Sequence, residues 1–582
     1  MNWQTELNHS FTWILTALFW LTAGFFTFCF ALKRTTFGKK FSLLNQACID
    51  NSSKIKLIGL ILILFTLILL EVRISVLNTY FYNGLYSALQ DKQREAFWFF
   101  ATINAMLVIA KIIHSIINYF LRQVFEIRWL EKLNHYMLQR WLNYKNYYRL
   151  KYTESLPDNI DQRIEQDARE FITGTVDLVR GMINSIVSTL EFTLILWNLS
   201  GLLILLGVEI PKGVVFFIYL FIISATAISI WIGYPLIKLN FAKERFHGDY
   251  RYSLIRVRDN AESIAFYQGE NQERSNLNEK FNQIIQNRWQ IVRKMLGLDG
   301  FNTGVTQVAM FLPLMLQAPR FFSGQVTLGD MHQTVQSFNR LMRALSFFRL
   351  FYEEFTLYQA RLDRLSGFIT KLDDLDNTEI HHPAQCTERV VLRHFGLKDQ
   401  QDRLILQNIN LALSPGDALL IQGRSGIGKT TLLKAIAGIY PFETIGYAEC
   451  PCANRLFLPQ RPYVPQGTLR QAICYPDITS SESELRQTMQ DCQLEKYIPA
   501  LEMENDWQVI LSPGELQRIA FIRILLAKPE VIFLDETTSA LDEPTEHMLY
   551  QLVKTRLPQS MILSIGHRSS LTQFHNKQLM LT

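Results

Sequence analysis

Hydrophobic and polar positions divide the chain into two regimes. Through residue 370 long apolar runs recur, at 11–32, 55–72, 97–120, 185–206, 214–237 and 299–322. Each is close to the length, roughly 20 residues, that a helix needs to cross a hydrocarbon layer of ~30 Å. Between them, 121–180 and 238–298 carry mixed charge with few Gly or Pro and read as helices that continue beyond the membrane. After Glu388 the pattern changes. Short apolar stretches, ALLIQ (Ala418 to Gln422) and VIFLDE (Val531 to Glu536), alternate with helical ones such as TLLKAIAGI, as expected of an α/β domain with buried parallel strands. The polar, acidic stretch from Lys371 to Glu388 reads as the boundary.

The expected organisation is an N-terminal helix and loop (1–50), a helical transmembrane domain (51–370), a linker (371–388) and an α/β domain (389–582). Charge orients it. Lys33, Arg34, Lys39, Lys40, Lys54 and Lys56 fall between the first two spans, which places that loop in the cytoplasm. Residues 1–10 hold no Lys or Arg, so the N-terminus is expected outside. The first run is longer than a signal-peptide core and is followed by Lys33-Arg34 rather than a small-residue cleavage site, so it is read as a retained helix. The net charge of +5 is modest, and no nucleic-acid partner is expected. Cys386, Cys450, Cys452, Cys474 and Cys492 lie in the cytoplasmic part, where reduced thiols are the rule. Cys450-Pro451-Cys452 has no second pair at zinc-site spacing and reads as a loop.

The C-terminal chemistry opens with Gly423, Arg424, Ser425, Gly426, Ile427, Gly428, Lys429, Thr430 and Thr431, between a strand and a helix. This is the setting of a P-loop: backbone N–H groups cradle phosphates, Lys429 reaches the β and γ phosphates, and Thr430 offers a hydroxyl to Mg²⁺. Asp535 and Glu536 end an apolar strand, the first as a Mg²⁺ ligand, the second as general base for the attacking water. A P-loop alone does not separate one ATPase class from another.

LSPGELQR at Leu511 to Arg518 does, because it resembles the signature motif of ATP-binding cassette (ABC) ATPases. The resemblance implies that Ser512, Gly514 and Glu515 help hold ATP bound on an opposite subunit. It further implies a Q-loop at Gln460, acting in catalysis and as a metal ligand, a D-loop at Ser539 to Asp542, and a switch histidine, His567. Three departures stand out: Pro513 where the family usually has glycine, Glu515 where glutamine is commoner, and no clear aromatic for adenine stacking, with Phe395, Leu397 and Lys398 as the nearest positions.

The membrane segments LPDNIDQRIEQD (Leu156 to Asp167), His247 to Glu270 and Leu312 to Phe338 resemble the SbmA/BacA peptide transporters and their cassette-bearing relatives, a group that also holds the peroxisomal acyl-CoA transporters. That resemblance implies an exporter-type fold of six core helices plus one N-terminal helix, with the polar segment Thr334 to Tyr358 as the last of the seven spans. It also implies ATP-driven alternating access by a dimer in a bacterial inner membrane, with the cassette in the cytoplasm. A homodimer is the economical expectation, and a heterodimer stays open. The expected cargo is a hydrophilic or peptidic solute, peptides or cobalamin-like molecules, taken inward; an exporter or flippase of lipid-like or acyl substrates is the alternative. A soluble, non-transport cassette ATPase is excluded by the apolar runs. Glu191, in an otherwise uncharged run, is expected to line the solute cavity or to sit at the dimer seam.

Overall fold

The computed structural model describes residues 3–46, 54–153, 159–200, 202–205, 208–377, 388–451 and 454–581. They form two compact units, Met1–Asn146 with Pro157–Asp374, and Tyr147–Leu156 with Leu375–Thr582.

The first unit is helical: α1 (Trp3–Leu32), α2 (Thr36–Gln46), α3 (Lys54–Gln90), α4 (Arg94–Leu142), α5 (Ala168–Leu199), α6 (Gly213–Asp259), the short α7 (Ala261–Tyr267), α8 (Glu270–Phe322) and α9 (Leu328–Asn377). Among the described residues, α1, α3, α4, α5 and α6 lie in segments long and apolar enough to span a membrane. The other two expected spans fall within α8 and α9, whose sequences are more polar. Their packing fixes their depth all the same: Ala309 of α8 and Phe338 and Leu341 of α9 are buried in one cluster with Val72, Val76, Phe192, Ile195 and Ile222 of the apolar helices. The run expected at 185–206 is not one helix. Helix α5 stops at Leu199, Ser200 turns to extended backbone, and a hairpin of β1 (Leu202–Leu205) and β2 (Val208–Pro211) follows. A β-branched and leucine-rich run satisfies a strand as readily as a helix, which is why hydropathy alone overran the end.

Helix α1 packs along α3, and α2 folds back as a strap. Phe37 of α2 meets Phe355 of α9 at 5.4 Å, Phe41 meets Phe171 of α5 at 5.9 Å, and Lys40 pairs with Asp363 at 2.8 Å. The expected linker is helical as far as Asn377, and residues 378–387 lie outside the described set.

The second unit is the α/β domain. Strands β3 (Val390–Lys398) and β4 (Leu404–Leu413) pair with β6 (Thr444–Glu449) in an antiparallel sheet ordered β4-β3-β6. The main sheet is parallel, ordered β10 (Lys577–Leu581), β5 (Ala418–Gly423), β9 (Met561–Ile565), β8 (Val531–Asp535), β7 (Arg455–Leu458). Alternate residues feed two cores. Leu420, Ile532 and Leu534 join one, Leu419, Ile421 and Phe533 the other, so both sheet faces are covered and the strands read as continuous apolar runs. Helices α10 (Lys429–Ile436), α11 (Pro513–Ala527) and α12 (Glu543–Arg556) flank it.

Candidate functional site

The ends of β5 and β8 bring together residues more than a hundred positions apart. In an open parallel sheet this carboxyl end is where ligands bind. Gly423 closes β5 at φ +152°, and a Cβ there would sit 2.7 Å from the Leu581 carbonyl of β10, so the backbone passes too close for any side chain. Gly428, at φ +104°, caps α10 in a left-handed conformation that favours glycine. The loop between them leaves N–H groups and the positive end of α10 facing one point.

Lys429 is buried, and its ammonium donates to the carbonyls of Gly423 (2.8 Å) and Arg424 (3.2 Å) while lying 3.3 Å from His567 Nε2. A cation held back along its own loop is positioned for phosphate oxygens. Thr430 Oγ1 donates to Asp535 Oδ1 at 2.9 Å. Burial, reinforced by the neighbouring Glu536 charge, raises the Asp535 pKa, and the Thr430 hydrogen bond offsets part of that rise. Gln460 Nε2 donates to Glu536 Oε2 at 3.1 Å, and His567 Nε2 lies 3.4 Å from the other oxygen. Glu536 itself has φ +49°, a strained setting for a glutamate that turns it off the end of β8. The P-loop, Gln460, Asp535, Glu536 and His567 therefore converge in one place.

Ser512, Gly514 and Glu515 form a second element within the same unit. Ser512 caps α11: its Oγ accepts from Glu515 N at 3.4 Å and donates to Glu515 Oε2 at 2.8 Å, and Ser512 N donates to the same carboxylate at 2.8 Å. Pro513 takes the first helical position, where the missing N–H has no intrahelical partner in any case. The departure from glycine is thus accommodated by the cap. Burial acts to raise the Glu515 pKa, but the Lys496 ammonium at 2.6 Å and the Ser512 and Tyr497 donors outweigh it and hold the carboxyl at about 2.

Several residues that sequence reasoning passed over belong here. Gln517 Nε2 donates to the Gln460 carbonyl (3.5 Å) and Ser539 Oγ (3.3 Å), and its Oε1 accepts from Ala540 N (3.0 Å), tying α11 to the loops after β7 and β8. It stands inside the LSPGELQR motif, so its place was visible although its partners were not. Lys496 and Tyr497 carried no signal. For adenine, Phe395 and Leu397 are both buried in the core, and Lys398 pairs with Glu443 at 2.7 Å. The apolar side chain beside the P-loop is instead Ile405, partly exposed and 3.0 Å from where a Gly428 Cβ would lie.

Residues 406–539 match the ABC transporter family and residues 44–322 match ABC transporter transmembrane region 2. An ABC transporter ATP-binding protein of Haemophilus influenzae is 69% identical over 581 residues, covering 100% of this chain and 99% of the relative. The chain belongs to the ABC transporter family. It therefore binds ATP and hydrolyses it to drive membrane transport, and as one membrane unit fused to one cassette it has the make-up of a half-transporter. Also similar is the inner membrane ABC transporter ATP-binding protein YddA of Escherichia coli, 31% identical over 92% of this chain and 96% of the relative. A solved bacterial Atm1-family ABC exporter with ATP bound matches with TM-score 0.69 over 92% of this chain and 94% of that one, at 18% identity, which establishes the exporter-type fold. The transmembrane family match begins at residue 44, so α1 and nearly all of α2 lie outside the family's core.

Glu191, expected to line the solute cavity or to sit at the dimer seam, has its partners on α1 and α3. Its Oε1 accepts from Trp13 Nε1 at 2.8 Å, its Oε2 lies 4.0 Å from Arg73, and Arg73 in turn binds Glu6 (2.9 Å) and Ser10 (3.0 Å). The carboxylate is turned to α1 and helps dock it on α3 and α5.

Proposed function

We propose that this chain works as a homodimeric importer of hydrophilic or peptidic solutes in a bacterial inner membrane, with its cassette in the cytoplasm and its N-terminus outside. The observation that supports a hydrogen-bonding solute is a cleft of about 120 Å³ between α6, α8 and α9, room for one polar group of a larger cargo, where Thr226, Asn302, Thr306 and Ser346 lie beside Phe221 and Val305. Ser229 Oγ donates to Asn302 Oδ1 at 2.9 Å next to it. Hydroxyls and amides at that depth suit a cargo that hydrogen-bonds.

In this reading each ATP lies between Lys429 of one copy and Ser512 of the other. The P-loop amides and Lys429 hold the phosphates, and Glu536, oriented by Gln460 and His567, takes a proton from the attacking water. Thr430, Asp535 and the Gln460 amide oxygen are hard oxygen donors that fit Mg²⁺. When bound, Mg²⁺ offsets charge on the β and γ phosphates. Closure of the cassettes drives the membrane helices from one state to the other, and reopening follows hydrolysis.

Direction is tested in sealed vesicles of both orientations loaded with peptide and cobalamin probes. Right-side-out vesicles should take up probe when ATP is enclosed, and inside-out vesicles should expel enclosed probe when ATP is added outside. Accumulation only in inside-out vesicles would make the protein an exporter.

A further inference from the structure

Several charges within the apolar helices are matched. Arg73 is bound by Glu6 and Glu191, Arg122 by Glu126 (2.6 Å) and Asp177 (2.8 Å), and Arg180 by Glu71 (3.0 Å). Two arginines of α9 break the pattern. Among the described residues neither Arg340 nor Arg343 forms an ion pair, and the acid that acts on Arg340, Glu71, is already bonded to Arg180. Both are fixed at the depth of the apolar helices, because Phe338 and Leu341, which flank Arg340, are wholly buried against α3, α5 and α6. An unmatched cation at such depth is costly unless water or an anion reaches it.

Arg343 lies beside the polar cleft. It is one turn from Arg340 on one side and one turn from Ser346 on the other, and Ser346 and Met342 line the cleft itself. Arg343 is exposed, and its Nε donates to the Asn339 carbonyl at 3.3 Å, leaving the remaining guanidinium N–H groups for a ligand. A guanidinium fork matches a carboxylate or phosphate edge, and a hydroxyl one turn away adds a further donor.

We propose that Arg340 and Arg343 select solutes bearing an anionic group, a carboxylate or a phosphate, and disfavour cationic peptides. This rests on the transport reading above, and it narrows the peptidic class to acidic members. In a homodimer the surplus doubles, to four guanidiniums.

The test uses the full-length protein in lipid nanodiscs with three dansyl-labelled probes: triglutamate, a phosphate monoester and trilysine. At least one anion should bind at least about tenfold more tightly than trilysine, and which one binds names the group. Arg340→Met with Arg343→Met should remove the preference, the Lys,Lys pair should retain part of it, and Arg343→Glu should turn it toward trilysine. Equal binding of all probes, preference for trilysine by the wild type, or an anion preference that survives the double Met variant overturns the assignment. A wild type that moves no solute with ATP would strike the transport reading, whereas ATP-driven flux indifferent to these substitutions would strike the arginine assignment alone.

Discussion

Trp13 and Glu191, 178 positions apart, are joined by a 2.8 Å hydrogen bond from the indole N–H to the carboxylate, with the Arg73 guanidinium over the Trp13 ring at 5.5 Å. Helix α1 is thereby held by a partly buried ionic cluster rather than by apolar contact alone. Arg73→Met would leave Glu191 and Glu6 without their cation, a loss below the ~3 kcal/mol of a fully buried pair because Glu6 is partly exposed. We expect a lower unfolding temperature in detergent and faster proteolysis of α1, with part of the loss recovered when Glu191→Gln is added. Wild-type stability in the Arg73 variant would show that α1 is held by its apolar face.

The carboxyl of Glu515 gives the cassette a pH signature. Its folded pKa of about 2 lies below the unfolded value, so its stabilisation is fully present above about pH 4.5 and is lost as pH falls toward 2. Thermal unfolding of the protein between pH 5 and 3 should fall more steeply for the wild type than for Glu515→Gln, which has no charge to lose. Parallel acid limbs would mean that Lys496 does not hold this carboxylate in solution.

How much of this was legible depended on whether a contact is local. Gly423 to Thr431 is one uninterrupted segment, so the P-loop could be read with its strand and helix, and Asp535 and Glu536 announced themselves by ending an apolar strand. The Glu191 environment could not be read, because Trp13 and Arg73 come from other helices and a lone carboxylate in an apolar run does not say which neighbour it faces. The end of α5 at Leu199 was hidden for a related reason: LLIL is equally apolar in a helix and in the strand it forms. The adenine position stayed open for lack of burial information. An exposed aromatic was sought, while Phe395 and Leu397 are core residues of β3.

That last point is checked by truncation. Leu397→Ala opens a cavity in the sheet core and should cost about 2–5 kcal/mol of cassette stability with little change in ATP affinity of the folded fraction. A selective loss of ATP affinity at unchanged stability would instead place Leu397 against the nucleotide.

Gln517 links α11 to the backbone of Gln460 and Ala540, in the two loops that flank Glu536. Gln517→Ala should lower the ATPase kcat by on the order of ten- to a hundredfold, as small misplacements of catalytic groups do, while KM for ATP changes little. Steady-state hydrolysis separates the two, and a change confined to KM would contradict a positioning role.

In the proposed cycle Glu536 is the group that activates water within a composite dimer site. The direct measurement is nucleotide retention and turnover by purified Glu536→Gln protein with ATP. The expected result is ATP bound stoichiometrically in a stable closed dimer with hydrolysis reduced by on the order of a hundredfold or more, as removal of a general base gives. Hydrolysis at the wild-type rate, or failure to bind ATP at all, would contradict it.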